Sequence, residues 1–447
     1  MIVSVGRMMR KGGGGLIWPK GLKESIKAIY DPAKQGMTNY DVIEAYAEDF
    51  TKWAYRNSRG TAKITNNAIV ITNVVETNNI VEDAKEPYSD LTIRVTGVTE
   101  DKYLIVRQGR GKPETHIKKD GVYTFKDNNL YFGFGISVIG ECNITITQLP
   151  TSILKDLSGN GNHAYLYGGK GKLNSGMGVY KFDFLSDLRI NSAYIPYSDR
   201  QEDKICSLIE HPAGWLFQFI SLSDIPAFKV EVKGIVNDRF VYRYYDENGN
   251  RGKEIIINKD GIYELPISYS VENNTGVGIV CSDACVDNVC FTQIPDYPDQ
   301  LCYDGKMYAV AYDMPILTDY TVMAERTWFE NRNIFLAKGN ITTEAKYAFI
   351  FERFKPDGVM AVQSFGAWND VVSTTDSCIS YLTKNKYNGI DIRSGIGADD
   401  DMLSIGGALN KGNIELTSVC CHGAIIIADR SFTEDEITWL KDNLFRK

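Results

Sequence analysis

The 447-residue sequence lacks the marks of several large function classes. Lys and Arg number 49 against 57 Asp and Glu, for a formal net charge of −8, so the basic excess of a general nucleic-acid binder is missing. No apolar run is long enough to span a bilayer. Histidine is scarce: His116, His163, His211 and His422 are all there is, and none stands in an HExxH pattern. There is no GxSxG elbow and no GxxxxGK[ST] phosphate loop. The first residues, MIVSVGRMMRKGGGGLIWPK, place their charges after a short apolar run rather than before it, which is not the plan of a secretory leader. The expectation is a chain made in a cytoplasm, with no insertion into a membrane.

The nine cysteines are an odd number: Cys142, Cys206, Cys281, Cys285, Cys290, Cys302, Cys378, Cys420 and Cys421. Cys281, Cys285 and Cys290 are close together, but their spacing is not that of paired CxxC knuckles. The simplest expectation is reduced thiols packed in strands.

What the chain does have is 26 Tyr, 19 Phe and 40 Gly. Tyr, Thr, Val and Ile fall in short runs broken by Gly, Asn and Asp, the composition of stacked β-sheets. Three blocks recur in order. LTIRVTGVTEDKYLIVR (91–107) matches FKVEVKGIVNDRFVYRY (228–244), each alternating apolar and polar residues up to Gly97 or Gly234. HIKKDGVYTF (116–125) matches IINKDGIYEL (256–265), and NITITQLP (143–150) matches VCFTQIP (289–295). Repetition of three blocks in one order indicates duplication of a small β-sandwich unit.

The first sixty residues differ. Gly12 to Gly15 form a flexible joint. Thr38 with Asp41 reads as a helix cap, followed by Val42, Ile43, Tyr46 and Phe50 at helical spacing. With Trp18, Tyr30, Tyr40 and Trp53, this segment is an aromatic-rich piece too small to fold alone. It is expected to dock, on this chain or on another. At the other end, Thr433 and Glu436 form a capping box for one short helix, with Ile437, Leu440 and Leu444 on its buried face.

Between the repeat units lies LKDLSGNGNHAYLYG (154–168). As a calcium loop it lacks the acidic alternation and terminal Glu. As a tight corner it works: Gly159 and Gly161 supply positive φ, Asn160 and Asn162 tolerate it, and Asp156 and Ser158 can accept amide hydrogens. His163 reads as a turn-packing residue.

This stretch resembles the lead-in strand and loop of laminin-G-like, concanavalin A-like jelly rolls. The phrases Tyr303-Asp304-Gly305, LTDYTVMAERTW (317–328) and ADRSFTEDEI (428–437) resemble that family's later motifs and follow in its order. The resemblance covers 151–169 and 299–447 and implies a jelly roll with the second repeat unit, within 170–298, inserted in it. The whole reads as an all-β protein: an N-terminal docking segment (1–60), a first sandwich unit (61–150), the jelly roll, and its insertion. The phrase IYDPAKQGMTNYDVIEAYAEDFTKW (29–53), with this domain plan, is similar to virion appendage proteins of crAss-like phages of Bacteroides-type gut bacteria. That similarity implies a head-fibre, tail-fibre or decoration protein of a virion. It would be a homotrimer, anchored to other virion proteins by Trp18, Tyr30, Tyr40, Ile43, Tyr46, Phe50 and Trp53, with a host-surface glycan as ligand.

For ligand contact, Trp368 in SFGAWNDVV is placed at a loop next to Gly366, where an exposed indole suits sugar stacking. Asp399, Asp400 and Asp401 form the densest acidic run, a pattern of hard oxygen ligands for calcium, although a solvated loop is the simpler reading. The paired carboxylates E-x-D-x-E that carry glycoside hydrolysis on concanavalin-like folds are absent. No catalytic residue, cofactor or metal is assigned. The alternatives to a virion component are a free glycan-binding lectin of a gut bacterium and, further off, a glycoside hydrolase.

Overall fold

A computed structural model describes residues 18–445, apart from 56–60, 75–77, 83–89, 109–112, 127–133, 170–171, 177–187, 191, 202, 221–223, 253, 271–275, 331–332, 342–346, 377 and 411. The glycine joint at 12–15 lies outside the described residues. The chain is nearly all β, with short helices at Leu22–Ser25 and Pro32–Gln35 and a longer one at Glu434–Asn443. Among the described residues no helix is long and apolar enough to cross a membrane.

The duplication is visible strand for strand. The first small sandwich pairs Thr61–Ile64, Ala68–Val74, Cys142–Gln148, Leu91–Thr96 and Gly121–Phe125, in that order, in one sheet. Its second sheet runs Asn78–Glu82, Phe134–Ile139, Tyr103–Gln108, Glu114–Ile117. The second small sandwich repeats the first order with Ser198–Arg200, Lys204–Ser207, Val289–Asp304, Phe228–Lys233 and Gly261–Leu265. Register repeats too: Leu91 faces Phe125 and Val95 faces Gly121, while Phe228 faces Leu265 and Val232 faces Gly261. The alternation buries Leu91, Ile93 and Val95 in one core and Phe228, Val230 and Val232 in the other. Each such side chain contributes about 1.5–3 kcal/mol on burial.

The repeated Lys-Asp-Gly-x-Tyr phrase has a physical cause. Asp120 accepts the Val98 amide at 2.9 Å, and Asp260 accepts the Ile235 amide at 2.8 Å. Tyr123 donates its hydroxyl to the Lys119 carbonyl, and Tyr263 to the Lys259 carbonyl. The preceding Gly97 and Gly234 have φ of +91° and +100°, and in each a Cβ would lie 2.2 Å from a neighbouring carbonyl oxygen. Only glycine fits there.

The third body is a large antiparallel sandwich of jelly-roll type. One sheet centres on Val419–Ala428, Thr321–Trp328 and Cys378–Thr383. The facing sheet has eight strands: Ile153–Leu154, Ala164–Tyr167, Tyr308–Ala311, Leu403–Ile405, Asn333–Lys338, Phe349–Phe354, Met360–Ser364 and Ala367–Asp370. Val322, Ala324, Ile425 and Ile427 from one sheet meet Leu336, Phe349, Phe351 and Leu403 from the other in a single core. The helix Glu434–Asn443 covers the outer face of the first sheet with Ile437 and Leu440, and its Thr433–Glu436 capping box is present.

Two expectations need correction here. The large sandwich does not begin near Thr151. Strand Ile26–Tyr30 pairs with Ile425–Ala428, on the same edge where Leu301–Asp304 pairs with Val419–His422. Both small sandwiches are therefore interposed in the large one. The returning strand, Val289–Asp304, belongs to the second small sandwich in its first half and to the large one in its second. Nor do the thiols all stay reduced: Cys206 and Cys290, directly opposite across two strands, form a disulfide. Sequence spacing could not show this, because the 84-residue separation is closed only by the sheet.

The N-terminal docking segment also differs from its sequence reading. Thr38 and Asp41 do form a capping box, but it caps a single 3₁₀ turn, Asn39–Val42, and a second such turn follows at Phe50–Lys52. The stripe does not become an α-helix because its apolar residues serve two different cores. Tyr30 and Val42 enter the large core, and Phe50 and Trp53 enter the first small one. Trp18 packs against Trp439, and Tyr46 donates to Glu44 at 2.5 Å. Tyr30, Phe50 and Trp53 are thus buried in their own chain and not available to a partner, whereas Ile43 is exposed. The side chain of Tyr40 lies outside the described residues.

Candidate ligand groove

The corner loop at 154–168 serves the fold. Asp156 accepts the amides of Ser158 (2.8 Å), Asn162 (3.1 Å) and, across the chain, Ile29 (3.0 Å). Asn160 and Asn162 donate to the carbonyls of Ile26 and Lys27, and Tyr30 donates to the Asn162 carbonyl at 2.6 Å. His163 accepts the Asp156 amide through Nδ1 at 3.0 Å. Asp156, Ser158, Asn160 and Asn162 each bond to the backbone of one edge strand. The loop is a corner that clamps Ile26–Tyr30, as its glycines suggested.

The acidic run is not a free cluster of oxygen ligands. Asp399 is paired with Lys338 at 2.9 Å, with both side chains buried, and also accepts the Leu317 amide at 2.7 Å. Asp400 accepts the Met402 amide at 2.8 Å, and its carbonyl accepts from Lys338. The Asp401 carbonyl takes the Met314 amide. Burial pushes the Asp399 and Asp400 carboxyls above their usual range and the Lys338 ammonium below its own, while pairing acts the other way on Asp399 and Lys338. Asp399 and Asp400 are held by these internal bonds, and Lys338, 61 residues upstream of Asp399, is a partner that sequence reading could not supply.

Trp368 does reach a concave surface. It sits on a strand, Ala367–Asp370, rather than in a loop; the turn is the preceding Phe365-Gly366. Both turn residues have positive φ, +42° and +88°, the two-residue geometry that matches strand twist. Across the sheet Trp368 faces Gln363, and Gln363 faces Ile350. This row lies on the outer face, because the alternate residues, Phe349 and Phe351, fill the core.

Along this row runs a groove of about 670 Å³, lined among others by Trp368, Arg353, Gln363, Tyr347, Ile350 and Ile396. The half-buried Trp368 packs against the apolar floor of Ile334, Ala337 and Ile350, and the Arg353 guanidinium lies 5.3 Å from the indole centre. Tyr347 donates to the Leu409 carbonyl at 2.6 Å, and burial raises its pKa. Gln363 is 8% exposed, and its Oε1 has no hydrogen-bond partner among the described residues. Ile396 is 96% exposed on the opposite wall.

The walls are held in place. Gly395 donates to the Ser364 carbonyl and Gly397 to the Phe365 carbonyl. Asn369 exchanges two side-chain bonds with the Arg393 backbone, each 2.9 Å. A Cβ on Gly395 would lie 2.1 Å from the Phe365 oxygen, so the loop approaches the hairpin only as glycine. Sequence reading found the indole but not Arg353 or Gln363, which only strand register brings beside it.

The large core holds a second polar group. Arg326 donates to both oxygens of Glu352, which also accepts from Trp328 at 3.0 Å and Tyr387 at 2.8 Å. Arg326 and Glu352 are fully buried. Burial alone would lower the Arg326 pKa, and the Glu352 carboxylate more than offsets it.

No protein-family model and no curated protein sequence matches the chain. Among solved structures, Trypanosoma rangeli sialidase aligns with TM-score 0.24 and 10% identity over 86% of this chain and 84% of that one. The same sialidase in complex with sialic acid gives 0.25 and 10% over the same shares. A mutant displaying trans-sialidase activity gives 0.23 and 8%, over 90% and 86%. These scores are too low to transfer a site or an activity.

Proposed function

We propose that this protein is a non-enzymatic structural component of a phage particle, of head-fibre, tail-fibre or decoration type. Its large sandwich attaches the particle to a surface glycan. The observation that carries the reading is the Trp368 groove: an indole face for the C–H side of a sugar, with the Arg353 guanidinium beside it for hydroxyl groups. The motif order of the jelly roll and the modular β-sandwich plan support the appendage reading. The carboxylates Glu352 and Asp399 are each neutralised by a buried cation, which fits attachment better than hydrolysis.

The test is glycan binding by the full-length protein on an array, followed by titration of the best ligand. Trp368→Ala is expected to weaken binding at least tenfold while leaving the thermal midpoint within a few degrees. Absence of any glycan ligand, or unchanged affinity in the variant, overturns the attachment role. Light scattering is expected to give a trimer, and the protein is expected in purified particles; its absence from them overturns the virion reading.

A further inference from the structure

We propose that His211, Cys281 and Cys285 form a metal site for a thiophilic divalent ion, zinc foremost, at one end of the second small sandwich. Cys281 ends the strand Gly278–Cys281, Cys285 lies in the turn that follows, and His211 lies in the turn before Gly214–Phe219. A ring nitrogen of His211 and both sulfurs lie within 4.8 Å of one another, and all three residues are buried. The two sulfurs are 3.5 Å apart. A tetrahedral ion with metal–sulfur bonds of about 2.3 Å and metal–nitrogen bonds of about 2.0 Å requires edges of roughly 3.8 and 3.5 Å. The two sulfurs therefore stand close to coordinating distance before any ion arrives, with an imidazole nitrogen within 4.8 Å of both.

The imidazole supplies a second, independent observation. His211 is fully buried, its Nδ1 lies 2.8 Å from the Pro212 carbonyl, and its Nε2 has no hydrogen-bond partner among the described residues. A buried ring nitrogen without a partner is costly, and a metal bond removes that cost. A carbonyl on the other ring nitrogen is the usual support for a histidine ligand. The backbone fixes the pieces together: the Cys285 amide donates to the His211 carbonyl and the Glu210 amide to the Cys285 carbonyl, both at 2.8 Å.

Charge and duplication point the same way. Binding would release two thiol protons to solvent, and a divalent ion with two thiolates and a neutral imidazole has no net charge, so burial carries little penalty. The sandwich fold does not itself demand these residues. In the first unit Val138 holds the register position of Cys281, and the turn that follows is two residues shorter. The three donors leave one tetrahedral position for water or for Asp238, whose charge acts on both thiols.

The experiment uses full-length protein purified anaerobically, loaded with Zn²⁺, desalted, and assayed for bound zinc. About one ion per chain is expected, falling at least fivefold in a Cys281→Ser, Cys285→Ser double variant. Titration of the unsubstituted protein with Co²⁺ guards against misfolding of that variant: near-ultraviolet thiolate-to-cobalt bands and strong tetrahedral visible bands are expected at one equivalent. Zinc below 0.2 equivalents, cobalt spectra without thiolate bands, or full zinc retention in the double variant would each overturn the site.

Discussion

Asp156 accepts the Ile29 amide across 127 residues of sequence, at 3.0 Å. That bond ties the corner loop to the N-terminal edge strand and so closes the large sandwich. Asp156→Ala strands the amides of Ile29, Ser158 and Asn162. It is expected to cost about 2–3 kcal/mol in denaturant unfolding. Limited proteolysis should then cut near residues 18–30 first. Equal protease resistance in the variant would show that the clamp is not needed.

The Arg326–Glu352 pair offers a test of buried polarity. Glu352→Gln leaves the guanidinium without its counter-charge and is expected to cost about 3–5 kcal/mol. Replacing both, Arg326→Leu with Glu352→Leu, is expected to cost less than the sum of the single changes by more than about 1 kcal/mol. Additive losses would mean that the two residues do not act as a unit.

His422 sets an acid response. It is fully buried in strand Val419–Ala428, with Nε2 3.1 Å from the Tyr303 hydroxyl, and burial lowers its pKa to about 4. Below its ordinary value near 6.5 the unfolded chain takes up a proton that the fold does not. Stability therefore falls as pH drops from about 6.5 to about 4, by on the order of 3 kcal/mol, and levels off below that. In His422→Gln this part of the pH dependence should vanish; an unchanged slope would assign it to other groups.

Gly97 and Gly234 should behave as a matched pair. Alanine at either must carry positive φ and meet a carbonyl oxygen, that of Asn143 or Asn288, at 2.2 Å. Each substitution is expected to cost at least about 2 kcal/mol. Hydrogen exchange should localise the loss to the first small sandwich for Gly97→Ala and to the second for Gly234→Ala. A loss spread evenly over the molecule would argue against separate cores.

Much of this protein was legible in order along the chain. Alternation at 91–96 and 228–233, the Lys-Asp-Gly-x-Tyr phrase and the glycines before it are local features. Their hydrogen bonds close within or between neighbouring strands, so sequence alone determined the two sandwiches and their likeness. The corner at 154–168 and the Thr433 helix were equally local. Tertiary structure decided what depends on register and on long-range pairing. Val42, Tyr46 and Phe50 have helical spacing, yet two separate cores draw Val42 and Phe50 apart and leave only 3₁₀ turns. Asp399 resembles a ligand until Lys338 lies against it, and Trp368 gains Arg353 and Gln363 only across three strands. Cys206 finds Cys290, and His211 meets Cys281 and Cys285, because sheet pairing closes distances that no local interaction encodes.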